Sequence, residues 1–135
     1  MINRSRRTIR RRGQALVEFA LIAPILILMV MGIVEFGRVF MAQQTITSAS
    51  REGARTGILP NSTTSDVENI VTTYMSAASL SGATSIQCSN VGPTVQSGAA
   101  TSVTVSYTLP ILTGTIIPGI GQSMNLTNTT VMRHE

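Results

Sequence analysis

The chain has 135 residues, of which ten are arginine, none lysine and six acidic, for a formal net charge of +4. Charged residues make up 12% of it, about half the usual share in a soluble domain. Apolar residues reach 43% with aromatics at 4% and no tryptophan, which excludes a disordered polyelectrolyte and fits an ordinary cytosolic domain poorly.

The charge is concentrated at the start. Arg4, Arg6, Arg7, Arg10, Arg11 and Arg12 form a basic leader, and beyond Gly13 four arginines face six acids, a net of −2. A nucleic-acid arm would interleave aromatic or polar base-reading residues with such a run, and none is present. No nucleic-acid partner is expected.

Behind the leader, Phe19–Val34 is sixteen residues without a charge. As a helix it would be about 24 Å long, a little short of the ~30 Å hydrocarbon core. Ala15, Leu16 and Val17 lengthen the apolar stretch at the cost of enclosing Glu18. No polar face interrupts the run, so a small domain could not cover it all round, and it reads as a single membrane-spanning helix. The arginine excess ahead of it places the N-terminus in the cytoplasm and the body beyond the inner membrane, in the periplasm. A cleavable secretory signal competes poorly, because the run flows into Glu35-Phe-Gly-Arg38 with no small-x-small site. Ser5-Arg-Arg-Thr-Ile-Arg10 is twin-arginine-like, but no cofactor site accompanies it.

Glu18 is the informative residue. A carboxylate near a membrane helix start costs roughly 2.5–3.5 kcal/mol if it reaches the bilayer centre, so it calls for a partner. Cleavage after Gly13 would remove all six leader arginines and expose an α-amine on Gln14. Glu18 could then pair with the terminal amine of a neighbouring helix, offsetting the desolvation of both charges. Glu35, one residue past the apolar run, is a second candidate for assembly and orientation.

The string Gly13-Gln-Ala-Leu-Val-Glu18-Phe19 resembles the processing site of class III signal peptides. Continued to Pro24, and with Glu35-Phe-Gly-Arg38, Ser50-Arg-Glu-Gly-Ala-Arg55 and Val131-Met-Arg-His-Glu135, it is similar to the TadE-like pseudopilins of tight-adherence (Tad/Flp) pilus systems. The likeness is dense over residues 13–57 and thin afterwards. The residue after Phe19 differs from that of the major pilin of such systems, which points to an accessory pseudopilin. The resemblance implies a processing site at Gly13, Gln14, Glu18 and Phe19, cut by a prepilin peptidase. It also implies partners among other pilin and Tad assembly-platform subunits, and a role in pilus assembly, adherence or secretion. An uncleaved single-pass anchor carrying a periplasmic binding module is the alternative, and an exported soluble protein that loses its whole N-terminus is a third.

Past the membrane, Val39, Ala42, Ile46, Ala49 and Gly53 recur at 3-4-3-4 spacing, a narrow apolar seam that carries the helix to about Gly57, with Pro60 barring extension. The seam is expected to pack on the chain's own head, with Arg51, Glu52 and Arg55 in solvent. Ser65-Asp-Val-Glu68 predicts a capping box for a second helix, with Val67, Ile70, Val71, Tyr74, Met75 and Ala78 apolar and Gly82 just past its end. Then the period switches to two. Val103, Val105, Tyr107 and Leu109 alternate with Ser and Thr, and Thr84–Ser89 and Met124–Arg133 read as two further strands. Pro110–Gly121, apolar and broken by proline and glycine, either packs over the sheet or touches the membrane.

The expected fold is therefore α+β, with a long N-terminal membrane-spanning helix packed on a small antiparallel-sheet head that carries one further amphipathic helix. The expected organisation is a leader over 1–13, the helix over 14–57 and the head over 58–135. Catalysis finds no footing. His134 has no motif partner, Asp66 and Glu68 are explained by a helix start, and Cys88 reads as a small buried strand residue. No catalytic residue, cofactor, metal or small-molecule substrate is expected.

Overall fold

The computed structural model describes residues 5–80, 82, 84–92, 95–116 and 121–134, with the side chains of 5–12, 115 and 116 left aside. Helix α1 spans Ser5–Gly57 and α2 spans Thr64–Ala77. They are followed by β1 (Thr84–Ser89), β2 (Ala100–Pro110), the short α3 (Leu112–Ile116) and β3 (Ser123–Arg133). The chain separates into two compact units, the first closing at Phe36 and the second opening at Gly37. The fold is α+β, as the periodicities require.

In the second unit the predicted seam is the buried stripe of α1. Ala42, Ile46 and Ala49 are fully enclosed, Gly53 is buried with them, and Val39 packs at the margin. Ser50, Ala54 and Gly57 widen the stripe on one side. Small residues dominate it because the sheet comes close. Gly53 faces Val103 and Gly57 faces Thr101, while Arg38 donates from Nη1 to the Pro110 carbonyl at 3.3 Å. Residues 38–57 of α1 therefore run antiparallel to β2. The helix ends where predicted, with the Ser62 hydroxyl serving the carbonyls of Gly57 (3.0 Å) and Leu59 (2.9 Å). Arg51 and Arg55 lie in solvent and Glu52 is half-buried.

The second helix begins two residues before the sequence expectation. Thr63, in extended conformation, is the N-cap. Its backbone N–H donates to Asp66 Oδ2 at 2.9 Å, and Asp66 N–H returns to Thr63 Oγ1 at 3.3 Å. The capping box is thus Thr63/Asp66 rather than Ser65/Glu68. Aspartate at the third helical position does what glutamate was expected to do, and Ser65 and Glu68 stay exposed. Val67, Val71 and Met75 are buried, Ile70 and Ala78 are half-buried, and Tyr74 is exposed.

The stop also moves. The Leu80 N–H reaches Met75 O and the Ser79 N–H reaches Ser76 O, both at 2.9 Å. That pair of bonds is a Schellman motif with Ser79, not Gly82, in the left-handed position at φ 58°. Leu80 supplies the accompanying apolar contact against the core, so the helix is closed by packing without a glycine.

The sheet is antiparallel in the order β1-β2-β3, with β2 central. Val103, Val105, Tyr107 and Leu109 of β2 are buried against α1 and α2, as alternation predicts. Each fully buried aliphatic side chain contributes about 1.5–3 kcal/mol. Cys88 is half-buried at the edge of this core rather than enclosed. Within Pro110–Gly121, Ile111 N–H bonds to Gln122 O at 2.9 Å and closes the base of the segment; residues 117–120 lie outside the described ones.

Candidate functional site

Glycine at 13 and proline at 24 would be expected to weaken a soluble helix, yet α1 runs through both. Alanine, leucine, isoleucine and valine dominate between them, and methionine joins them beyond Pro24. In the first unit these side chains face outward on every side, with Leu16, Phe19, Leu21, Ile25 and Met29 each about two-thirds exposed. The candidate membrane span has a mean hydropathy of 2.6 in its most apolar window, none of which is buried. A core helix of a soluble protein would be mostly covered; this one is bare. Exposed apolar surface of this extent marks a membrane or protein contact.

The candidate processing residues stand together at the start of this surface. Gly13, Gln14, Glu18 and Phe19 are all exposed, and a Cβ added to Gly13 would meet nothing within 4 Å. Gln14 and Glu18 are four residues apart on one helix face, so their side chains are neighbours, while Phe19 lies about a quarter-turn round. Glu35 is half-buried and sits about 25 Å further along the helix, seventeen residues on. The two carboxylates bracket the charge-free run and are not brought together.

The head carries features that single-residue motifs did not reveal. Ser50, fully buried on α1, donates to Asn128 Oδ1 at 2.8 Å and meets Thr130 Oγ1 at 2.8 Å, while Asn128 Nδ2 donates to Thr47 Oγ1 at 3.3 Å. This cluster fastens α1 to β3. Alternation along Met124–Arg133 could have placed Asn128 and Thr130 inward, but not opposite Ser50.

A second cluster ties down the end of β3. The Thr101 hydroxyl donates to Asn90 O at 2.7 Å and so accepts from His134 Nε2 at 2.6 Å. His134 is thus engaged in structure. The outer face of the sheet is a field of hydroxyls and amides joined across strands, as in Ser89 with Ser102 at 2.7 Å and Thr104 with Thr129 at 2.8 Å.

Two groups in the head have shifted acidities. The Thr63 hydroxyl and backbone N–H hold the Asp66 carboxyl below its ordinary value, since both bonds favour the charged form. Burial pushes the Cys88 thiol up, and the Glu68 carboxylate adds to it, so Cys88 remains a protonated, sluggish thiol at neutral pH. Among the described residues no group of three His, Cys, Asp or Glu side chains is placed to hold a metal.

No curated protein and no solved structure matches the chain. The model of the family described as TadE-like protein does match, over residues 13–55, which takes in Gly13, the apolar run and the seam of α1. That match and the bare apolar helix together fit a single-pass membrane protein associated with a Tad-type pilus. Over Gly13–Arg55 the chain is similar to the TadE-like family.

Proposed function

We propose that this chain is a minor pilin or pseudopilin of a Tad-type pilus or secretion apparatus. It is inserted in the inner membrane with its N-terminus in the cytoplasm and its head in the periplasm. A prepilin peptidase trims it between Gly13 and Gln14, and it then works with other pilin and assembly-platform subunits in pilus assembly, adherence or secretion. The observation that carries this reading is the coincidence of the family match with an apolar helix that is exposed all round and opens immediately behind Gly13. Glycine makes that turn about 1 kcal/mol weaker than alanine would, which eases local opening for a peptidase. In the mature protein Glu18 pairs with the Gln14 amine of a neighbouring helix and sets its register. Glu35 orients the head side of the span.

The test is the intact mass of the protein purified from its native membrane. Loss of residues 1–13 supports the reading. An unchanged N-terminus would overturn processing and favour the uncleaved anchor, and cleavage beyond Val34 would favour an exported soluble protein. A mature end found as pyroglutamate would remove the amine and with it the Glu18 pairing. A Glu18→Ala variant is expected to insert normally and assemble poorly.

A further inference from the structure

The three-stranded sheet leaves both of its outer strands as edges among the described residues. Along β3, the Ile111 N–H bonds Gln122 O and the His134 N–H bonds Ala99 O, so residues 122 and 134 turn their backbone groups toward β2. Alternation then directs the N–H and C=O groups of Ser123, Asn125, Thr127, Thr129, Val131 and Arg133 to the open side. This edge is long and unprotected. Its pairing with β2 runs without a bulge over eleven residues, it contains no proline or acidic residue, and its one charge is Arg133 at the end. Natural edges that avoid partners carry such guards.

The direction of the strands selects the partner. Both β1 and β3 are antiparallel to β2, so they are parallel to each other. An isologous β3–β3 pair would be antiparallel and would set the two Gly37 ends, where the apolar run joins the head, at opposite ends of an eleven-residue strand, about 35 Å apart. Copies anchored in one membrane need those ends on the same side. Pairing β3 of one copy with β1 of the next keeps them there.

The side chains agree with that choice. Met124, on the inner face of β3 opposite Leu109, is 45% exposed. The register sets Thr84 and Ile86 of β1 level with Leu126 and Asn128 of β3, and the Thr84 N–H bonds Gly82 O at 2.7 Å just ahead of the strand. Beside them, under the β1 edge and within one residue pair of Met124 along the strands, lies a cleft of about 220 Å³ whose apolar lining is Met75, Leu80, Gly82 and Ile86. A flexible thioether suits an irregular hole of this kind.

We propose that copies of this chain join side by side, the β3 edge of one pairing in parallel with the β1 edge of the next and Met124 filling the cleft between α2 and β1. The contact is heterologous and therefore open-ended. It is short, because β1 has six residues, so it acts between copies already concentrated in a membrane. The inference rests on the membrane-anchored part of the reading above and is independent of processing.

Ser85 and Thr127 lie on the outer face, exposed, and both are level with Ser106. Within one chain they are two strands apart, about 10 Å, too far for a disulfide. The full chain carrying Cys88→Ser, Ser85→Cys and Thr127→Cys, oxidised mildly in membrane vesicles, is expected to give a ladder of dimers, trimers and higher species on a non-reducing gel. Either cysteine alone is expected to leave monomer. Adding Met124→Glu should strip the ladder back to monomer while the melting curve is preserved.

Three outcomes would overturn the proposal: a double-cysteine chain that stays monomeric, dimers from Thr127→Cys alone, or a ladder indifferent to Met124→Glu. The mass of the same preparation reports processing separately, so failure of one reading is distinguishable from failure of the other.

Discussion

Ser50 Oγ donates to Asn128 Oδ1 at 2.8 Å across seventy-eight residues of sequence, from the C-terminal part of α1 to the inner face of β3. An apolar seam can slide along a sheet at little cost, whereas sliding would pull Ser50 away from both Asn128 and Thr130. This bond fixes the longitudinal register of helix against strand. Ser50→Ala leaves Asn128 Oδ1 with the Thr130 hydroxyl at 3.5 Å and is expected to cost about 1 kcal/mol, the net worth of one hydrogen bond. Thermal melts of Ser50→Ala, Asn128→Ala and the double variant in detergent check it. A strictly additive cycle would show that the two residues do not act together.

The same glycine substitution should have opposite signs at two places in α1. A Cβ on Gly53 would stand 2.8 Å from Val71 Cγ2 and 3.3 Å from both Val103 Cγ1 and Val67 Cγ1, whereas one on Gly37 would meet nothing within 4 Å. Gly53→Ala forces α2 and β2 apart, at an overpacking cost of about 1–3 kcal/mol that outweighs the ~1 kcal/mol gain in helix propensity. Gly37→Ala is expected to keep the gain. Melting temperatures of the two variants decide the comparison.

Ser79 holds the left-handed position of the α2 stop without the conformational freedom of glycine. Ser79→Gly relieves a backbone cost of about 1 kcal/mol while keeping both Schellman bonds, and is expected to raise the melting temperature by a few degrees. An unchanged or lower value would mean that the serine side chain has a compensating role.

The Thr63/Asp66 box makes the start of α2 acid-sensitive. The carboxyl is held below its ordinary value in the folded chain, so the charged form is favoured by folding. Its contribution is fully present above the unfolded aspartate value and is lost as pH falls through the folded one, a window that opens below about pH 4. Helical circular dichroism followed through that window should show a loss that Asp66→Asn abolishes. A Glu68→Gln chain, altered at the residue the sequence had suggested for the box, should retain it.

The division of labour between sequence and fold follows from the range of each signal. Charge, apolar run length and hydrophobic period are local properties. They placed the basic leader ahead of Gly13, the span over Phe19–Val34, the end of α1 at Gly57 and the alternation of β2, all from neighbours within a few residues. The choice between Thr63/Asp66 and Ser65/Glu68 was not open to that kind of reading, because both pairs offer the right groups and only the geometry of the turn after Gly57 selects one. Ser79 could close α2 because Leu80 had a core to pack against, which exists only once the sheet is formed. Likewise Ser50, Asn128 and His134 look like ordinary polar residues in the chain and become fasteners when strand order brings them opposite their partners. That same order, β1-β2-β3, left two edges parallel to each other, with Met124 on one and an apolar cleft under the other. The sequence alone determined that this protein has a membrane-type helix and a small α+β head, because burial periodicity is written locally. Only the tertiary structure decided how that head is locked and which of its surfaces remain open, because both depend on which distant strands become neighbours.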